Sequence, residues 1–246
     1  MFQPFLIALQ FLTQIPVRLS TEPDKAVLGK SVLFYPAIGF LIGLLLAALS
    51  WLLNDTPPIV ASVLLLICWV FITGGLHLDG LADSADAWVG GMNDKDRTLA
   101  IMKDPNCGPA GVVAIVLLLL LKFVTLYTLL LADDWVFIIL ATTLGRVILP
   151  LLFLTTPYVR PNGLGSLLVD QMPRRPSIVV IALTALLAPL MLGINSLWIL
   201  AAMVVIFLIF RHLMQSRIGG TTGDTAGALV EITEASILLV AVLLVT

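Results

Sequence analysis

Apolar residues run almost unbroken through seven stretches of this chain, roughly 31–53, 59–78, 109–131, 135–155, 177–194, 196–213 and 227–245. Each is bounded by Pro, Gly or charge, and each is near the ~20 residues that a helix needs to cross a bilayer. The pattern predicts an all-α polytopic membrane protein with about seven transmembrane helices. Ahead of them, Phe2, Phe5, Leu6, Leu9 and Leu12 recur near helical spacing, with Gln3, Gln10 and Gln14 between them. That segment ends at Pro16 and is too short to span. It reads as a short interfacial or re-entrant helix. It has no positive charge ahead of its apolar residues and no small-residue cleavage site, so a cleavable signal peptide is not expected.

Composition supports the same class. Sixty percent of the 246 residues are apolar and only 11% are charged, against roughly 25% charged in soluble domains. The formal net charge of −2 gives no basic surface, so nucleic acid is not an expected partner. The two cysteines are too few for a disulfide framework. Cys68 lies inside an apolar run and reads as packing, and Cys107 sits in a loop beside Gly108.

The connections alternate. Residues 54–58, 132–134 and 195 are minimal turns, while 17–30, 79–108, 156–176 and 214–226 are longer and polar. Of the 13 Lys and Arg, eleven lie in the longer set or at its edges: Arg18, Lys25, Lys30, Lys95, Arg97, Lys103, Arg160, Arg174, Arg175, Arg211 and Arg217. By the positive-inside rule these loops face the cytoplasm. No internal repeat and no long linker divides the chain, so residues 1–246 are expected to form one integral membrane domain.

Three aspartates stand out at the end of the second apolar run. Asp79, Asp83 and Asp86 are spaced i, i+4, i+7 and so share a face of any helix built there. Unpaired, such carboxylates repel one another, and near hydrocarbon the penalty grows. A hard cation removes both penalties, and oxygen ligands suit Mg²⁺ or Mn²⁺. Further along, Ile101-Met102-Lys103-Asp104-Pro105 leads into a Gly- and Pro-rich exit that lets backbone approach a ligand. Lys103 can meet phosphate oxygen, and Asp104 can add a metal ligand or a base. Asp94, Lys95 and Asp96 fit a solvated loop better.

A second constellation, Gly219-Gly220-Thr221-Thr222-Gly223-Asp224, opens the last apolar run, with Glu231 and Glu234 further in. Asp224 and Glu231 are seven apart and share a helix face. Carboxylates in a span need partners or a polar cavity. The plainer alternative is a capped helix start with Asp224 as the cap. Arg146, near the middle of its span, should face the bundle interior and pair with a carboxylate or a substrate phosphate. Lys122 reads as snorkelling to an interface, and His77 as an ordinary hydrogen-bonded histidine. No Ser/His/Asp or Cys/His arrangement suggests a side-chain nucleophile.

At these residues a resemblance emerges. His77-Leu78-Asp79-Gly80-Leu81-Ala82-Asp83-Ser84-Ala85-Asp86, then Ile101-Met102-Lys103-Asp104 with Gly108 and Gly111, then Gly219 to Asp224 with Glu231, closely resemble the cobalamin synthase family. That family, also called adenosylcobinamide-GDP ribazoletransferase, joins a lower-ligand nucleoside to an activated corrinoid late in coenzyme B12 assembly. Phe11-Leu12-Thr13-Gln14-Ile15-Pro16-Val17 is similar to its opening motif, with Gln14 where Arg is expected. The Asp cluster is also similar, more loosely, to the signature of CDP-alcohol phosphotransferases, though here it is compressed and lacks an Ala-Arg pair.

The resemblance implies that α-ribazole, or its 5′-phosphate, displaces GMP from adenosylcobinamide-GDP with Mg²⁺ as cofactor. It implies Asp79 and Asp83 as metal ligands and Asp86 shared between metal and base roles. Lys103 would hold phosphate with Asp104 nearby, and Asp224, Glu231 and Arg146 would complete the binding pocket. Spacing leaves open which carboxylate takes the proton. The implied setting is the bacterial inner membrane, multi-pass, with the site on the cytoplasmic face; a homo-oligomer is left open. The competing readings are a phospholipid-synthesising CDP-alcohol phosphotransferase and a cation-coupled transporter, which would need its polar groups near the membrane midplane.

Overall fold

A computed structural model describes residues 2–19, 23–161 and 164–245, and their regular structure is helical. Helix α1 (Gln3–Leu12) is the short N-terminal helix, with Ile7, Ala8, Leu9 and Leu12 buried. Helices α2 (Lys25–Ser31) and α3 (Tyr35–Leu52) join through a 3-10 turn into one 28-residue stretch. Then come α4 (Pro58–Thr73), α5 (Leu76–Gly90), α6 (Lys95–Ile101), α7 (Pro109–Leu131) and α8 (Val136–Thr155). The C-terminal third holds α9 (Leu164–Gln171), α10 (Arg174–Ala185), α11 (Leu187–Leu192), α12 (Ser196–Ile218) and α13 (Gly223–Val245).

Five helical stretches among the described residues are long and apolar enough to cross a membrane, or six if α4 and α5 count as one span. Seven were expected, and the lower count reflects one run taken as a single stretch and one real departure. The stretches around 177–194 and 196–213 lie within the 45-residue run Arg174–Ile218, which doubles back. Arg174 donates to the Leu154 carbonyl at 3.1 Å and Arg211 to the adjacent Thr155 carbonyl at 2.8 Å, so both ends of the run meet the same end of α8. The expected break is the place of reversal, a 3-10 turn over Gly193–Asn195 with Gly193 left-handed (φ 56°). The second apolar run does not continue straight to residue 78. It breaks at Gly74 and Gly75, both left-handed (φ 64° and 68°), and α5 leaves α4 at 87°. Two successive left-handed residues are accessible here because neither carries a Cβ. The aspartates therefore lie on a helix turned across the end of α4, off the axis of that span.

Helix α8 forms the centre, packed by α3, α10 and α13. Close approach to α3 needs glycine. A Cβ on Gly39 would lie 2.4 Å from the Thr142 carbonyl, and one on Gly43 would lie 2.6 Å from the Ile139 Cα. Small residues let helix backbones approach where lipid supplies no hydrophobic drive between helices.

The same device joins α5 to α13. A Cβ on Gly80 would meet the backbone of Asp224 at 2.7 Å, and one on Gly227 would lie 3.2 Å from the His77 Cα. This crossing places the aspartate face of α5 beside the first turn of α13. Gly80→Ala should force the two backbones apart and destabilise the protein by about 1–3 kcal/mol. A lowered thermal midpoint in detergent would show it, whereas an unchanged midpoint would mean that the crossing is not tight.

Candidate active site

Three elements meet at one end of the bundle: α5, the first turn of α13 and the segment 156–161 after α8. The last is tied to the start of α13 by a short parallel bridge. The Val159 N–H donates to the Thr221 carbonyl at 2.9 Å, and the Thr221 N–H donates to the Pro157 carbonyl at 2.8 Å. Gly220 allows this, since a Cβ there would strike the Pro157 carbonyl. The cap of α13 is Thr222, whose hydroxyl accepts from the Thr225 N–H at 3.2 Å. The cap role considered for Asp224 is thus filled by Thr222, and the Asp224 carboxylate is left to pair with Arg160 at the cavity wall.

Between these elements lies a cavity of about 270 Å³ lined by His77, Asp79, Tyr158, Arg160 and Asp224. Arg160 donates to the Asp224 carboxylate at 2.8 Å and reaches the Met102 carbonyl at 3.4 Å. Asp83, half-buried on α5, is felt electrostatically by Asp79, Asp224 and Asp86. Burial first, and then those neighbouring carboxylates, push its carboxyl up to about 6, with Arg160 opposing. The site is short of positive charge.

Asp86 is placed differently from its two companions. Its carboxylate accepts the Gly108 N–H at 2.7 Å and the Gly111 N–H at 2.9 Å, so it caps the N-terminus of α7. Both glycines are required by this contact, because a Cβ on either would approach the carboxylate to 2.5 Å. Free N–H groups and the positive end of the helix dipole stabilise the charge there. Among the described residues no three His, Cys, Asp or Glu side chains are grouped to enclose a single ion. The helix periodicity does put the aspartates on one helix, but Asp86 is drawn away by α7. Asp104 is exposed and turned back on its own loop, accepting from the Asn106 N–H at 3.0 Å and its amide at 2.7 Å. These bonds lower its carboxyl below the usual range. Lys103 is exposed and follows the buried Met102, whose carbonyl lies under Arg160. Neither Lys103 nor Asp104 lines the cavity.

Comparison with known proteins decides the family. The family model described as cobalamin-5-phosphate synthase matches residues 4–242. The adenosylcobinamide-GDP ribazoletransferase of Ectopseudomonas mendocina is 52% identical over 233 residues, covering 95% of this chain and 96% of its own length. That of Pseudomonas savastanoi pv. phaseolicola is 49% identical over 241 residues, covering 98% and 99%. The chain belongs to the cobalamin-5-phosphate synthase family. No solved structure matches it.

In this family member the remaining expected residues lie deeper. Arg146 and Glu231 do not line the cavity. They belong to a buried ionic cluster in which Lys122 bonds Glu231 at 2.6 Å and Glu234 at 2.5 Å, and Arg146 pairs with Glu234. Arg146 and Glu234 have no solvent exposure, so Arg146 faces the interior and pairs with a carboxylate. Lys122 does not snorkel. It is buried, with its ammonium 4.5 Å from the centroid of the Trp69 ring. His77 also departs from expectation: it is buried at the cavity wall, and its Nδ1 has no hydrogen-bond partner.

Two residues escaped the sequence reading. Arg160 was counted only as a basic loop residue, and Tyr158, hydrogen-bonded to the Gly223 backbone, was not singled out. The signal was the run Pro157-Tyr158-Val159-Arg160-Pro161: a cation held between two prolines, in a chain whose aspartate cluster needs one.

Proposed function

We propose that this chain joins α-ribazole, or its 5′-phosphate, to adenosylcobinamide-GDP and releases GMP, a late step in coenzyme B12 assembly. The observation that carries the mechanism is the cavity at the α5–α13 crossing, lined by Asp79, Asp224 and Arg160, with Asp83 outside the lining but within electrostatic reach of all three. The donor set consists of hard carboxylate oxygens, and the carboxyl of Asp83 is held high by burial first and then by the neighbouring carboxylates, against the pull of Arg160. Both features fit a divalent cation such as Mg²⁺. Asp79 and Asp83 would supply its protein ligands, with water or substrate phosphate oxygens in the remaining positions, because no three such side chains among the described residues are grouped about one point. Such an ion supplies charge neutralisation for a diphosphate and its leaving group.

The residues of the chain do the rest. A hydroxyl of the nucleoside attacks the phosphorus that carries the corrinoid, the new O–P bond forms, and the O–P bond to GMP breaks. The proton of that hydroxyl passes to a carboxylate of the cavity. Arg160 offers a planar donor pair to the phosphate oxygens. The Met102 carbonyl lies under Arg160, and the next residue, Lys103, lies outside the cavity lining, so it would have to move to meet phosphate. We place the cavity on the cytoplasmic face of a bacterial inner membrane, supported by the eleven basic residues gathered in the longer loops.

The test is an assay of purified protein in lipid with adenosylcobinamide-GDP, α-ribazole and Mg²⁺. GMP and the joined corrinoid are expected in equal amounts, and a chelator should abolish both. No GMP release from well-folded protein would overturn the assignment, and full activity in chelator would overturn the metal.

A further inference from the structure

Arg160 and Tyr158 each line two cavities. One is the carboxylate cavity described above. The other, on the far side of the 157–161 segment, is a bowl of about 910 Å³ bordered by Lys25, Pro157, Val159, Val169 and Asp170 as well. Arg160 thus lines both a cluster that repels anions and a larger space that carries two cations, Lys25 and Arg160, against one carboxylate, Asp170. The volume is at the upper end for a ligand site and suits a bulky molecule.

Two details mark the bowl as more than a surface dent. The Nε of Arg160 is buried and has no hydrogen-bond partner, so the guanidinium keeps an unused donor although it already bonds Asp224 and Met102. Lys25 sits at the first position of α2, where the helix dipole disfavours a cation. It is exposed, and an anion in the bowl would offset that cost.

The geometry points to this bowl as the seat of the nucleoside end of the activated substrate, with Lys25 on the phosphate nearer the nucleoside and Arg160, shared by both cavities, between it and the reacting phosphate on the carboxylate side. This rests on the function proposed above. It adds a role for Asp224. Without ligand, Arg160 serves as the counter-ion of Asp224. When the diphosphate draws the guanidinium toward the bowl, Asp224 loses its partner and joins Asp79 and Asp83 as an uncompensated carboxylate. Binding of the diphosphate would thereby complete the acidic face of the neighbouring cavity.

Equilibrium dialysis of labelled GDP against the full chain in lipid nanodiscs tests the bowl without relying on turnover. Lys25→Ala removes an exposed side chain and should weaken GDP binding about tenfold, and Arg160→Ala should weaken it by at least as much. Arg160→Lys should recover only part of the loss, because the planar fork is gone. In the transfer assay the same variants should raise the KM for adenosylcobinamide-GDP and the inhibition constant of GDP by similar factors. The KM for α-ribazole should stay within twofold. GDP binding unchanged in folded Lys25→Ala and Arg160→Ala would overturn the inference, as would a rise confined to the KM for α-ribazole. Wild-type protein that binds GDP through these residues but forms no joined corrinoid would retain the bowl and reject the proposed reaction instead.

Discussion

Asp83→Asn is expected to slow transfer by about a thousandfold while leaving the protein folded and inserted, because it removes a charge from the shared carboxylate site. Rate measurements at saturating substrate, with folding checked by gel filtration, decide this, and a near-normal rate would remove Asp83 from the chemistry. A second readout is independent of turnover. The raised carboxyl of Asp83 means that the native chain holds that proton more tightly than the unfolded chain. Its contribution to stability is therefore fully present at low pH and lost as pH rises through about 6. In chelator, Asp83→Asn should accordingly be more stable than wild type above pH 6, and the advantage should vanish well below it. Added Mg²⁺ should reverse the order by stabilising only the wild type.

The contrast between Asp83 and Asp86 shows where sequence pattern stops carrying information. The apolar runs, the short N-terminal helix and the aspartate face were all legible, because each depends on neighbours within a few turns. Asp86 is different. Its partners, the N–H groups of Gly108 and Gly111, are 22 and 25 residues away, and only the tertiary path of the loop after α6 brings them to it. Gly74 and Gly75 were visible as glycines, yet the 87° turn they permit depends on what α5 packs against. The break expected near residue 195 is present, as the turn over Gly193–Asn195 entered through left-handed Gly193. It was legible because a glycine and a polar residue interrupt the apolar pattern locally, and the chain reverses there, so that Arg174 and Arg211 reach adjacent carbonyls of α8. Arg160 was legible as charge but not as a partner, since Asp224 lies far along the chain. Lys122 is the instructive error. It stands near the middle of α7, where snorkelling is hardest, and its position alone argued for a buried partner such as Glu231 or Glu234.

Arg146 provides the second large effect, and it should be one of stability. Its guanidinium pairs with Glu234, which also binds Lys122, and Lys122 in turn binds Glu231. Two cations and two carboxylates thus close on one another across α7, α8 and α13. Arg146→Ala leaves a buried carboxylate excess that no water can relieve, and the loss should be about 3–5 kcal/mol. Arg146→Lys keeps the charge but loses the planar fork and should recover part of it. The discriminating variant is the double substitution Arg146→Met with Glu234→Gln, which removes one charge of each sign. If the cluster is structural, this protein should melt closer to wild type than Arg146→Ala does and should retain transfer activity, because neither residue lines the cavity. A double variant that is stable but inactive would instead give Arg146 a part in binding substrate.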